Sequence, residues 1–141
     1  MTVADTPDPA GRTTVLYIDD DETLGVLLRK NVEQQGFIIV SALDGQSSLA
    51  LLAAGGIDAV ALDHYLLGET GLDVLPQILR EANHPPVVYV TGLGETSIAA
   101  EALKRGADDY LTKNVSSDFF ELLGAALKQA VARARGGGVD L

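Results

Sequence analysis

The sequence predicts an α/β domain built on a five-stranded parallel sheet with helices on both faces. Two observations carry this. Short apolar, largely β-branched runs alternate five times with longer stretches of helical spacing. Glycine or proline stands at most of the joints. Strands separated by helix-length crossovers pair in parallel, and right-handed crossovers cover both faces. The chain of 141 residues is long enough for one domain with a sizeable core, and 47% of it is apolar.

The elements follow in order. Residues 1–12 carry two prolines, a glycine and little apolar matter, and are expected to form a flexible tail. Thr14–Ile18 is the first strand. Glu22–Gln35 has apolar residues at 24, 27, 28 and 32, a helical spacing that Gly36 ends. Phe37–Ser41 is a β-branched strand. Asp44 caps a helix to about Ala54, which Gly55-Gly56 stops. Asp58–Leu62 is the third strand. Leu72–Ala82 is a helix by pattern, in which Pro76 removes one backbone hydrogen bond and introduces a bend. Pro86–Val90 is the fourth strand, Thr96–Arg105 a helix ended by Gly106, and Ala107–Thr112 the fifth strand. Ser117 or Asp118 caps a last helix to about Arg135, and Gly136-Gly137-Gly138 terminates it. The folded domain is therefore expected over 13–135, with a tail over 136–141.

The net charge is −10, with 14 acidic and 4 basic groups in residues 1–99 and six of each in 100–141. So acidic a chain is a poor general ligand for nucleic acid or anionic membrane. No cysteine is present, which excludes disulfides and thiol chemistry. No apolar run reaches the length of a membrane span, and no signal peptide is legible, so a cytoplasmic location is expected.

Acidic residues stop two of the apolar runs. Asp19 and Asp20 follow Val15-Leu16-Tyr17-Ile18, and Asp63 follows Ala59-Val60-Ala61-Leu62. A charge inside a buried sheet is costly, so these acids belong at the sheet's edge. If the two strands are parallel neighbours, three carboxylates converge, and such a cluster suits a hard divalent cation. Ligands of open parallel sheets bind beyond the carboxyl ends of the strands. Thr91 and Lys113 occupy those ends after the fourth and fifth strands. A carboxylate nucleophile, carboxylates for a cation, a hydroxyl and an ammonium together suit phosphoryl transfer.

Over about residues 13–134 the chain resembles the receiver domain of the two-component response regulator family. VLYIDDDE is similar to its strand with an acidic pair, which implies metal-binding roles for Asp19 and Asp20. LDHYLLGETGLDVL resembles the phosphoacceptor segment, which implies that Asp63 is the acceptor and that the Tyr65 backbone carbonyl also binds the metal. VVYVTG implies a switch hydroxyl at Thr91. GADDYLTK implies a switch aromatic at Tyr110 and a phosphate-contacting lysine at Lys113. The resemblance further implies a flavodoxin-like (βα)5 fold with strand order 2-1-3-4-5, Mg2+ as cofactor, and a phosphoryl group taken from a sensor histidine kinase or phosphotransfer protein. The domain would process its own phosphoryl group and turn over no external metabolite. Tyr65 and Leu93 resemble the positions that tune hydrolysis, and their bulk implies a slow to intermediate lifetime.

Two departures from the family pattern fall near the site: Leu67 and Asn114 stand where prolines are usual. A non-proline cis bond costs about 2.5–4 kcal/mol, so Lys113–Asn114 is either trans or held cis by its surroundings. His64 is read as a loop residue and His84 as surface. Asp21 and Glu22 are read as helix-start charge. Phe119, Leu122, Leu123, Ala126, Leu127 and Ala130 are read as a mainly core-facing stripe. Six residues follow Arg135, too few for a DNA-binding helix-turn-helix, so no direct nucleic-acid or membrane contact is expected. Output is expected through a downstream protein or a fused domain, and a homodimer could use the face of the fourth helix, fifth strand and fifth helix. Two rivals remain at this point. Asp19-x-Asp21-x-Thr23 with Thr91, Lys104 and Asp108-Asp109 would suit a haloacid-dehalogenase-type phosphatase, in which Asp19 is nucleophile and Asp21 acid/base. A non-phosphorylated interaction module of the same fold is the other.

Overall fold

Each apolar run becomes a strand of one sheet. The computed structural model describes residues 11–113 and 118–136. The elements are β1 (Thr13–Ile18), α1 (Glu22–Val32) with a 3-10 turn (Glu33–Gln35), β2 (Phe37–Ala42), α2 (Gly45–Ala54), β3 (Ala59–Asp63), β4 (Tyr65–Leu66), β5 (Glu69–Thr70), α3 (Gly71–Leu79), β6 (Val87–Thr91), α4 (Thr96–Arg105), β7 (Asp109–Thr112) and α5 (Asp118–Ala134). The main sheet has the order β2-β1-β3-β6-β7, and its strand pairs are parallel. With the short β4–β5 hairpin set aside, this is the expected 2-1-3-4-5 order.

Alternation along the strands splits the core into two layers. Val15, Tyr17, Ala59, Ala61, Val88 and Val90 pack with Leu28 and Val32 of α1 and with Phe119, Leu123 and Leu127 of α5. Leu16, Ile18, Val60, Leu62, Val87 and Tyr89 pack with Val74, Leu75 and Ile78 of α3, Ala102 of α4 and the α2 leucines. Strands buried on both faces have no polar side, which is why the runs are continuously apolar.

Local chemistry sets the helix starts. Asp21 caps α1 by accepting the Leu24 N–H at 3.0 Å, and Asp44 caps α2 by accepting the Ser47 N–H at 2.9 Å. Thr70 and Asp73 form a reciprocal capping box, so α3 begins at Gly71. It ends at Leu79, short of the predicted Ala82. Pro76 cannot donate to the Leu72 carbonyl, and the Arg105 side chain of α4 donates to that carbonyl instead, at 3.1 Å.

Other boundaries shift for similar reasons. Asp58 stands outside β3, where its carboxylate accepts the Thr14 N–H at 2.8 Å. Asp108 likewise accepts the Val87 N–H at 2.8 Å, and the last strand starts two residues later than predicted, at Asp109. Leu122 departs from its predicted core role and is exposed, while the rest of its stripe is buried. The Ser117 cap, Asn114 and the tail residues 1–10 and 137–141 lie outside the described residues.

The β4–β5 hairpin was not expected. It turns at Gly68, whose φ is 77°, a conformation glycine adopts without strain. It places the Glu69 carboxylate 2.9 Å from the Gly45 N–H at the start of α2. Gly71 then passes close under the sheet's edge. A Cβ there would lie 2.5 Å from the Asp63 carbonyl oxygen and 2.6 Å from the Tyr89 hydroxyl. Gly71→Ala is therefore expected to lower the unfolding free energy by about 1–3 kcal/mol, as overpacking does in tight interiors. Urea denaturation checks this, and an unchanged midpoint would refute the close approach.

Candidate functional site

The strand order reverses between β1 and β3, and the site lies beyond their carboxyl ends. Ile18 pairs with Leu62, so the next residues, Asp19 and Asp63, emerge side by side. Val90 pairs with Asp63, which puts Thr91 one step beyond on β6. Thr112 pairs with Thr91, which puts Lys113 at the same edge. The Lys113 N–H donates to the Thr91 carbonyl at 2.6 Å.

Lys113 is the centre of this arrangement. Its ammonium lies 3.0 Å from Asp19 Oδ2 and 3.0 Å from Asp63 Oδ1. Asp19 and Asp63 are 3% and 2% exposed, so two buried charges share one partly exposed counter-ion. The remaining oxygens are held as well. Asp19 Oδ1 accepts the Asp21 N–H at 3.0 Å, Asp19 Oδ2 also accepts the Tyr17 hydroxyl at 2.5 Å, and Asp63 Oδ2 accepts the Tyr65 N–H at 2.9 Å. Burial, and then the Asp19 charge, push the Asp63 carboxyl up to about 6 against the pull of Lys113. Burial works against the Lys113 ammonium, but its bonds to Asp19 and Asp63 outweigh this and raise its pKa.

The predicted site residues are not equally gathered. Asp19, Asp63 and Lys113 touch. Thr91 is buried at the same edge, and Asp20 follows Asp19 on the exposed rim. Tyr110 on β7 is 42% exposed, with its ring outside the core. Among the described residues, no three His, Cys, Asp or Glu side chains are set to grip a metal ion as they stand. The donors that the family resemblance nominates are nevertheless all oxygens: the carboxylates of Asp19, Asp20 and Asp63 and the Tyr65 carbonyl. That set fits Mg2+, a hard cation that retains water and takes few protein ligands.

His64 stands between β3 and β4, as its loop reading has it, but it is 8% exposed and its Nδ1 lies 2.7 Å from the buried Tyr89 hydroxyl. Burial is the main cause that raises the Tyr89 phenol, with the Asp63 charge second. The Tyr65 hydroxyl donates to Glu95, whose other oxygen accepts the Gly92 N–H at 2.6 Å. The exposed Tyr65 ring is thereby tied across to the loop after β6. A tyrosine in a fully apolar strand is a readable signal for Tyr17, because its hydroxyl must find a partner; nothing local marks Glu95.

The geometry removes the phosphatase rival. Asp21 is occupied as the α1 cap. Asp108 bonds the start of β6, at the opposite end of the sheet from Asp19. Asp63, idle in that reading, is at the centre of the site.

Comparison with known proteins agrees. The family described as "Response regulator receiver domain" matches residues 15–124. The chain is 36% identical over 99 residues to transcriptional regulatory protein CpxR of Klebsiella pneumoniae, covering 70% of this chain and 42% of that protein. It is 32% identical over 104 residues to the transcriptional regulatory protein YrkP of Bacillus subtilis, covering 74% and 44%. The chain thus spans less than half the length of these curated relatives. Among solved structures, the Francisella response regulator 1452 receiver domain superposes with a TM-score of 0.77 at 27% identity, covering 86% of this chain and 98% of that one. A receiver domain from Clostridium thermocellum gives 0.77 at 28%, covering 87% and 97%.

Proposed function

Because the chain belongs to the response regulator receiver domain family, we propose that Asp63 accepts a phosphoryl group from a phosphohistidine on a sensor kinase or phosphotransfer protein. The observation that carries this is the Lys113 ammonium shared between Asp19 and Asp63, each at 3.0 Å, at the carboxyl edge of the sheet.

Asp63 supplies the nucleophile. Its Oδ2 is fixed by the Tyr65 N–H, which orients the carboxylate. An Asp63 oxygen forms a bond to phosphorus as the phosphorus–nitrogen bond breaks, and the leaving imidazole keeps the electron pair. Lys113 exchanges Asp63 Oδ1 for a phosphoryl oxygen. Mg2+ bound by Asp19, Asp20, Asp63 and the Tyr65 carbonyl would neutralise phosphoryl oxygens and relieve the repulsion among the acids. Incubation with acetyl phosphate should label the protein in the presence of Mg2+ and leave it unlabelled in EDTA. Equal labelling in both would remove the cation from the account.

The added group carries about −1.5 to −2 charges. The Thr91 hydroxyl turns to donate to it. Tyr110 moves from its exposed position into the space released. The face of α4, β7 and α5 changes with them, by a shift between two packings. That face is the proposed contact for a downstream protein or fused output domain, or for a second copy. No helix among the described residues is long and apolar enough to cross a membrane. We place the domain in the cytoplasm, where histidine kinases present their phosphohistidine.

The Tyr65 ring, held by Glu95, shields one side of the phosphoryl group from water. Tyr65→Ala should shorten the lifetime of the phosphorylated form about tenfold, a barrier change of about 1.4 kcal/mol. Decay of the labelled protein after donor removal measures it. An unchanged half-life would mean that the ring does not screen water.

A further inference from the structure

Tyr17 is 1% exposed and lies in the layer under α1 and α5. Phenylalanine would fill the same space. The hydroxyl therefore needs its own explanation, and its partner is a carboxylate of the site. Asp19 follows the end of β1, two positions on from Tyr17, and the Tyr17 hydroxyl donates to Asp19 Oδ2 at 2.5 Å.

Asp19 has three donors. Tyr17 and Lys113 bond Oδ2, and the Asp21 N–H bonds Oδ1. A cation arriving at Asp19 would repel the Lys113 ammonium, so the charged donor is the one displaced. Lys113 is shared with Asp63, and in the receiver reading on which this inference rests it turns to the phosphoryl group. Tyr17 and the Asp21 N–H are tied to β1 and the start of α1 and stay in place. A phenol is neutral at working pH and so is available as a donor. A neutral donor orients the carboxylate without cancelling its charge, which leaves Asp19 able to bind a cation. Tyr17 and Asp19 both help to line an open pocket of about 260 Å³, so a carboxylate that loses the hydroxyl has space and water beside it.

We propose that Tyr17 is a positioning residue: its hydroxyl holds the Asp19 carboxylate in the orientation that binds Mg2+ while Lys113 moves between Asp63 and the phosphoryl group. Outer-shell partners of metal ligands typically contribute 10–100-fold in affinity.

The test is Mg2+ alone, titrated by calorimetry into the phosphoryl-free protein. Tyr17→Phe should weaken Mg2+ binding about tenfold. In an Asp19→Asn background the same change should have no further effect, because the carboxylate it positions is gone. Labelling by acetyl phosphate should return to the wild-type rate at saturating Mg2+. In the wild-type protein, which carries no folding risk, the Tyr17 ring-carbon resonance next to the hydroxyl should shift with the calorimetric midpoint. Unchanged affinity in Tyr17→Phe, an equal loss in the Asp19→Asn background, or a Tyr17 resonance that ignores Mg2+ would each overturn the proposal. Failure of the wild-type protein to bind Mg2+ would instead overturn the receiver reading beneath it.

Discussion

Asp63→Asn is expected to raise the unfolding free energy of the metal-free protein by about 1–3 kcal/mol at pH 7.5, and to abolish phosphoryl acceptance. The cause is the raised pKa. The Asp63 carboxyl titrates near 6 in the folded protein against an ordinary value of 3.8, because it is buried beside Asp19. The folded state thus holds this proton more tightly than the unfolded chain does. The stability from this group is fully present below about pH 3.8 and is lost as pH rises through about 6. Asparagine has nearly the same shape and never ionises. The variant should therefore gain on the wild type as pH climbs from 4 to 7.5, and the two should converge in acid. Denaturant midpoints at a series of pH values measure the difference. A variant less stable than wild type at pH 7.5 would show that Lys113 stabilises the ionised Asp63 more than burial and Asp19 oppose it.

Lys113→Met should act in the opposite direction. It removes the one ammonium bonded to both Asp19 and Asp63. Breaking a fully buried pair costs about 3–5 kcal/mol. The Lys113 side chain is 30% exposed, so solvent already screens part of its effect, and about 1–3 kcal/mol is expected at pH 7.5. The loss should shrink toward pH 5, where Asp63 takes up a proton. It should also shrink with added Mg2+, because ligand binding to the folded state stabilises it. Phosphoryl acceptance should slow about 10²–10³-fold, the scale for loss of one charge-stabilising donor. Labelling at the wild-type rate would mean that another cation serves the phosphoryl oxygens.

Much of this site was legible because of one physical rule. A charge among the apolar layers on either face of a parallel sheet is costly, so each apolar run ends at the sheet's carboxyl edge, where polar groups can partner one another. Asp19, Asp63, Thr91 and Lys113 were placed in this way, and the register of β1, β3, β6 and β7 gathers them. The helix cap Asp44 was legible for a related reason, since a short acceptor before a helical pattern satisfies free N–H groups; Asp21, read only as helix-start charge, is the cap of α1.

The hidden features are either too short to show a pattern or depend on side-chain partners that residue type alone does not name. The β4–β5 hairpin has two residues per strand, too few to show a period. The His64–Tyr89 pair joins residues 25 apart, and both chemistries look ordinary along the chain. Pro76 read as a bend that loses one backbone hydrogen bond, and the substitute donor to the Leu72 carbonyl, Arg105, could not be foreseen because it belongs to another helix. Tyr17 was counted as core, which it is; its second role emerges only when its hydroxyl is asked for a partner.

The central claim is that Asp63 is the group modified. Intact-protein and peptide mass spectrometry after incubation with acetyl phosphate and Mg2+ tests it most directly. The account predicts one added phosphoryl group, located on the peptide containing Asp63 and absent from Asp63→Asn under the same conditions. Labelling that persists in Asp63→Asn at the wild-type level, or a phosphoryl group mapped to Asp19 in the wild-type protein, would contradict it.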